Sequence, residues 1–294
     1  MNHRCAVPAL LVISSLLFSG CGEKSGMNSG DTAAPPSVSA GAEANPPKSS
    51  SAAPSFEKEI AAYRTYVIGQ CDSLVKQTDL FVKAIKDGDL EQAKKLYAPT
   101  RMYYERIEPI AEALGDLDPN IDARENDVDG KDWRGFHRLE KGLWQENTTR
   151  GLETFADRLA SDVKLLRAKV ETVEIQPVLL VTGAVELLNE VSSSKVTGEE
   201  ERYSHTDLYD FAANVEGANE IFRILEPELK KKDPDLAGQI GQRFADLNAA
   251  LAPYKKGDGY VSYTELGAEQ TRKLSQSLDA LAEPLSQMGR LLGV

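Results

Sequence analysis

The sequence predicts an all-α protein, arranged as two antiparallel four-helix bundles packed side by side. Three observations lead there. From Phe56 onward apolar residues recur at alternating steps of three and four, which places them on one face of a helix. No run alternates with the period of two that a half-buried strand needs. Seven long stripes of this kind, plus a short one near His137, suit two adjacent bundles, with a junction near residues 172–178.

The chain begins differently. Arg4 supplies a short positive start, and Ala6 to Phe18 form an apolar run broken only by Pro8, Ser14 and Ser15. Small Ser19 and Gly20 then precede Cys21. A core this short with such flanks reads as a signal peptide over residues 1–20, not a membrane span. A cysteine directly after small residues at the cleavage point resembles a lipobox, which predicts lipidation of Cys21 and an extracytoplasmic, membrane-anchored protein. Simple secretion with cleavage near Gly20 is the alternative. Residues 21–55 are rich in Ser, Ala, Gly and Pro and nearly devoid of large apolar side chains. Such a segment cannot offset its chain entropy by burial, so a disordered tether is expected, reaching about 100 Å at most.

The helical domain spans residues 56–294. Ile60, Tyr63, Val67, Cys71, Leu74, Thr78, Phe81 and Ile85 form its first stripe. Asp87-Gly88-Asp89 ends that helix and starts the next. The second stripe runs from Leu90 to Leu114, with kinks expected at Pro99 and Pro109. The third covers Leu152 to Val173, and Pro177 restarts the chain for Leu180 to Val191. Ser192 to Glu201, with Gly198 and a Glu triplet, reads as a loop, as does Lys255 to Gly259. Leu208 to Leu225, Ile240 to Leu251 and Leu274 to Leu292 supply the remaining stripes.

Composition narrows the function. The formal charge of −12 becomes −13 once Arg4 leaves with the signal. So acidic a domain is a poor partner for nucleic acid or anionic lipid and a natural one for cations. Of three cysteines, Cys5 is cleaved off and Cys21 is the lipid site. Cys71 alone remains, which leaves no internal disulfide and no cysteine-based zinc site. Its place on an apolar stripe marks it as buried filler.

The unusual chemistry lies between Tyr103 and Trp144. Gly115 to Lys131 carries six acidic residues, a long loop of the kind that is functional or disordered. Both tryptophans follow it, beside His137. On a helix His137 and Glu140 share a face, either to hold one ion or to form a surface pair. Glu105 and Glu108 repeat that geometry, and a solvated edge paired with Arg101 or Arg106 is the plainer reading. Ser204-His205-Thr206-Asp207 reads first as a capping box, with Ser204 as the cap. His-Glu-x-x-His, Gly-x-Ser-x-Gly and phosphate-cradling glycine loops are all absent. Carboxylates with one or two imidazoles suit iron, manganese or calcium better than soft-ligand metals.

Four blocks, in order, carry a family resemblance: Tyr103 to Glu112, Gly115 to Arg124, Gly135 to Trp144 and Tyr203 to Ala218. Together they resemble the imelysin-like domain of EfeO/EfeM-type iron-uptake lipoproteins, over roughly Phe56 to Val294. The resemblance implies a metal site between the bundles with Glu105, Glu108, Asp122, His137 and Glu140 as ligands. Asp207 and Asp210 lie in a matching block without an assigned ligand role. It further implies bound iron, Fe2+ or Fe3+, with other divalent cations as substitutes. The implied partners are an EfeU-type iron permease and an EfeB-type haem peroxidase. The implied role is transport, not catalysis. A His-x-x-Glu metallopeptidase and an alginate-binding protein are the family's alternatives, and a polyanion suits this acidic domain poorly. Many EfeO proteins also carry an N-terminal cupredoxin-like domain. The tether stands there instead, as in the shorter EfeM form.

Overall fold

The computed structural model describes residues 56–293. The signal segment, Cys21 and the tether through residue 55 lie outside the described residues. Ten helices account for most of the described chain: α1 (Glu57–Lys86), α2 (Leu90–Glu105), α3 (Glu108–Glu112), α4 (Leu117–Asp122), α5 (Phe136–Trp144), α6 (Glu153–Lys169), α7 (Pro177–Glu190), α8 (Asp207–Lys232), α9 (Pro234–Leu251) and α10 (Ala268–Leu292). A two-stranded hairpin, Lys255–Lys256 with Gly259–Tyr260, is the only sheet among the described residues. The protein is all-α.

The stripes become the core. On α1, Tyr63, Val67, Cys71, Leu74, Thr78, Phe81 and Ile85 are all buried, and Cys71 is a free thiol within that face. Acidic Glu57 and Glu59 start this helix and Lys83 and Lys86 end it, matching the helix dipole. Gly88 takes a positive φ of 78° to turn the chain, and the Asp89 carboxylate accepts from the Gln92 amide to cap α2. Helix α2 runs through Pro99 and stops at Arg106–Ile107, so that Pro109 falls in the first turn of α3.

Helix α1 packs on α2 and α6, while α4 and α5 sit against α6 and α2. Helices α7, α8, α9 and α10 pack on one another. Contact between α2 and α8 joins the two groups, and one apolar cluster runs through both. At that junction a Cβ on Gly217 would stand 2.5 Å from the Arg106 carbonyl oxygen, so the close approach of α8 to α2 depends on glycine.

Three local expectations give way. The acidic stretch after Gly115 is not one long loop, because Leu117 and Ile121, four apart and both buried, fold the short helix α4. Ser192 to Glu201 is not a plain surface loop either. It opens with a π-helical turn, Val191–Lys195, that continues α7 and buries Ser194 and Lys195. The capping box is replaced: α8 starts at Asp207 after Thr206, which makes no side-chain cap. Ser204 Oγ donates instead to the Glu201 carboxylate at 2.9 Å, and Asp207 Oδ1 accepts from the Glu201 amide at 3.1 Å. His205, at a φ of 57°, supplies the bend between them.

Candidate metal centre

Eight acidic side chains are buried where the two groups of helices meet: Glu105, Glu108, Asp122, Glu140, Glu200, Glu201, Asp207 and Asp210. Three basic groups are buried with them, Arg101, Lys195 and His137. Fully ionised, the cluster would carry a large negative excess that burial does not tolerate without a cation or bound protons.

Each element contributes by its period. Arg101 and Glu105 are one turn apart on α2, and Glu108 opens α3 after the break at Arg106–Ile107. Asp122 is the last residue of α4, and His137 and Glu140 share a face of α5. Asp207, Asp210 and Asn214 line one side of α8, and Lys195, Glu200 and Glu201 come from the turn between α7 and α8. Gly135 sets the approach of α5 to α4. It takes a φ of 91°, and a Cβ there would collide with the Ile121 carbonyl, next to Asp122. Replacing Gly135 by alanine should therefore cost about 2–4 kcal/mol in denaturant unfolding, because a strained φ and a backbone clash add. The same variant should displace Asp122 from His137. Unchanged stability would mean that the close approach relaxes freely.

The geometry sorts the acids into roles. His137 Nδ1 lies 3.2 Å from Glu140 Oε2, whose other oxygen accepts from the Tyr203 and Ser204 amides at 2.9 and 2.7 Å. Glu140 is thus fixed and orients the ring. On the other edge, Nε2 faces Asp122 Oδ1 at 3.7 Å and Glu200 Oε1 at 3.5 Å, and it makes no hydrogen bond. Asp122, His137 and Glu200 are one group whose ligand atoms lie close enough to share an ion, and His137, Glu140 and Glu201 are another.

Glu105 and Glu108 fall in neither group. Lys195 Nζ sits 2.9 Å from Glu105, 3.3 Å from Glu108 and 3.4 Å from Glu190, while Asn214 donates to both Glu105 and Glu108 at 3.2 Å. The solvated edge expected for this pair is not found: both carboxylates are buried. Arg101 also pairs with Glu105, at 2.5 Å. Of the residues without an assigned role, Asp210 faces Arg101 Nε at 3.5 Å, and Asp207 holds the Glu201 amide.

The acids titrate far apart. Burial pushes Glu108 well above the usual carboxylate range despite Lys195, and burial with the Glu140 charge does the same to Glu201. Burial raises Asp122 to about 6 against the pull of Arg101. Glu200 goes the other way: Lys195, His137 and Arg101 outweigh its burial and hold it well below the ordinary value. For His137, burial and Arg101 favour the neutral ring, but the Glu140 hydrogen bond and the facing Glu200 and Glu201 carboxylates win and raise it to about 10.

A cavity of about 180 Å³ leads outward from Asp122, Glu200 and Glu108. Its walls add Glu112, Asp118, Asp127 and Glu190, and Arg124 is the one cation lining it. Arg124 reaches Glu200 at 2.9 Å, while Trp133 Nε1 donates to the Ala123 carbonyl at 2.8 Å, pinning the segment after α4 beside the site. Spacing missed Lys195, Glu200 and Glu201, and it gave Arg101 only as a partner of Glu105 and Glu108 on a solvated edge, where the structure buries it beside Glu105. A faint signal existed for the two acids, since Glu200 and Glu201 both belong to a compact acidic triplet.

Known proteins match most of this chain. The chain is 44% identical over 287 residues to an Efem/EfeO family lipoprotein of Staphylococcus haemolyticus, covering 96% of this chain and 97% of that protein. It is 46% identical over 239 residues to the iron uptake system component EfeO of Escherichia coli K12, covering 80% of this chain. The alignment spans only 64% of that EfeO's length. The EfeO of Shigella flexneri matches to the same extent. The imelysin family profile matches residues 59–288, most of the sequence, and the chain belongs to the imelysin family.

Proposed function

We propose that this chain is the extracytoplasmic iron-binding lipoprotein of an Efe-type iron-uptake system. It takes up an iron ion, Fe2+ or Fe3+, between Asp122, His137 and Glu200 and releases it to an EfeU-type permease, with an EfeB-type haem peroxidase as a further partner. Acylation of Cys21 keeps it at the membrane, and a diacylglyceryl mass on that residue is the check. One observation carries the ion site: His137 Nε2 is buried without a hydrogen bond and faces two carboxylate oxygens. A ring nitrogen so placed, with its ring fixed by a carboxylate on the opposite nitrogen, is how proteins present histidine to a metal, and Nε2 becomes a donor once the ring gives up its proton to the incoming ion. Glu108 lines the same cavity as Asp122 and Glu200. Glu140 serves as the orienting partner, and Glu105 stays with Arg101 and Lys195. The name of the Escherichia coli relative, an iron uptake system component, supports iron as the cargo, and hard oxygen donors with one imidazole suit it.

Access supports transport over proteolysis. His137 is only 1% exposed, and the cavity of about 180 Å³ admits a hydrated ion but no polypeptide substrate. Zinc-loaded protein should leave unfolded protein substrates intact. Proteolysis lost specifically on His137→Ala would favour a peptidase.

The test is titration of the mature chain with Mn2+, and with Fe2+ without oxygen. Asp122→Asn and Glu200→Gln should each weaken binding by about tenfold or more. Since His137 holds its proton up to about pH 10 in the ion-free protein, ion entry must expel it. Affinity should accordingly rise about tenfold per pH unit between pH 6.5 and 8, and more steeply below pH 6, where Asp122 also gains a proton. Binding unaffected by both substitutions would place the ion elsewhere.

A further inference from the structure

Arg101 is wholly buried at the centre of the acidic cluster, with its ring-facing side 5.5 Å from the Phe136 ring centroid. Its Nη1 pairs with Asp122 Oδ1, and its Nη2 lies 3.8 Å from Glu200 Oε1. Those are the same two oxygens that face His137 Nε2. A guanidinium and a metal ion at this site therefore contest the same ligand atoms. Arg101 also has other partners within the cluster: Nη2 reaches Glu105 at 2.5 Å and Nε reaches Glu201 at 2.6 Å.

We propose that Arg101 is a tethered counter-cation that exchanges with the incoming ion at Asp122 and Glu200, and so sets how readily the ion leaves. Resting on the ion site proposed above, it names that site's release device. When the ion arrives, the guanidinium gives up Asp122 and keeps Glu105 and Glu201. When the ion departs, Arg101 returns, and the carboxylates are never left facing one another unpaired. A planar fork suits this exchange, since it can drop one carboxylate while holding others. Held within the site, it competes at an effective concentration that no solvent cation matches.

The experiment measures Mn2+ dissociation from the full mature chain by stopped-flow chelation. Arg101→Gln should slow dissociation on the order of tenfold, because a buried cation beside the ion has been removed. It should also enlarge the rise in melting temperature that Mn2+ produces, since the ion then replaces a missing charge. Arg101→Lys, which retains the charge but not the fork, should fall between the two. In the wild type, arginine side-chain 15N signals should show the Arg101 Nη resonances moving on addition of Zn2+, a readout that requires no variant to fold. Static Nη resonances on saturation, or Mn2+ release as fast in Arg101→Gln as in the wild type, would overturn the exchange role and leave the ion site standing. Failure of the wild type to bind Mn2+ or Zn2+ at all would overturn both.

Discussion

Replacing His137 by alanine should lower affinity for Mn2+ or Fe2+ about a hundredfold or more, with the helices intact. The size follows from the role. Changing a residue that merely orients a ligand costs 10–100-fold, so losing the imidazole itself belongs at or beyond the upper end of that range. The fold survives because each neighbour has other partners. Asp122 retains Arg101, and Glu140 retains the Tyr203 and Ser204 amides. Glu140→Gln should give the smaller loss, roughly 10–100-fold, by weakening the grip on Nδ1. Calorimetric titration of the two variants separates ligand from orienting residue. Equal losses would mean that both side chains touch the ion, as the family resemblance implies for this pair.

Lys195→Met should be the most damaging single change to stability. The ammonium is fully buried among Glu105, Glu108 and Glu190, and Glu105 is as inaccessible as the lysine. Removing one partner of a buried pair costs about 3–5 kcal/mol, because the remaining charge stays desolvated. The methionine refills the stem volume, so the loss reports charge and not a cavity. Adding Glu105→Gln to Lys195→Met should recover part of the stability, since both charges are then gone. Urea denaturation of the single and double variants reads this directly. A double variant no more stable than Lys195→Met alone would show that Glu105 does not depend on the lysine.

These two residues also show what spacing reveals and what it leaves hidden. Helices were legible because burial follows the 3.6-residue period, and Tyr63, Val67 and Leu74 are as buried as their stripe required. His137 and Glu140 were legible as a pair because i, i+3 proximity is local. Asp122 joined them through the resemblance, and its seat at the end of α4 brings it to His137. Lys195 and Glu200 were not legible. They sit in a segment without apolar period, and their partners are decades of residues away: Glu108 is 87 positions before Lys195. A buried lysine looks like any surface lysine until the fold surrounds it. Arg101 was legible as a partner of Glu105 but not as a buried one, since periodicity reads only the apolar residues around a charge. Ser204 was misplaced because its hydroxyl donates to the Glu201 carboxylate, a charge-assisted bond, instead of accepting from an α8 amide as a cap would.

Where the ion sits can be seen directly. Crystals of the mature protein soaked in Mn2+ and measured near the manganese absorption edge locate it without reference to any variant. One dominant anomalous peak is expected within ligand distance of His137 Nε2, Asp122 and Glu200, with Arg101 turned from Asp122 toward Glu105 and Glu201. A dominant peak in the outer cavity among Glu112, Asp118 and Asp127, with His137 Nε2 still unligated, would contradict this placement of the ion.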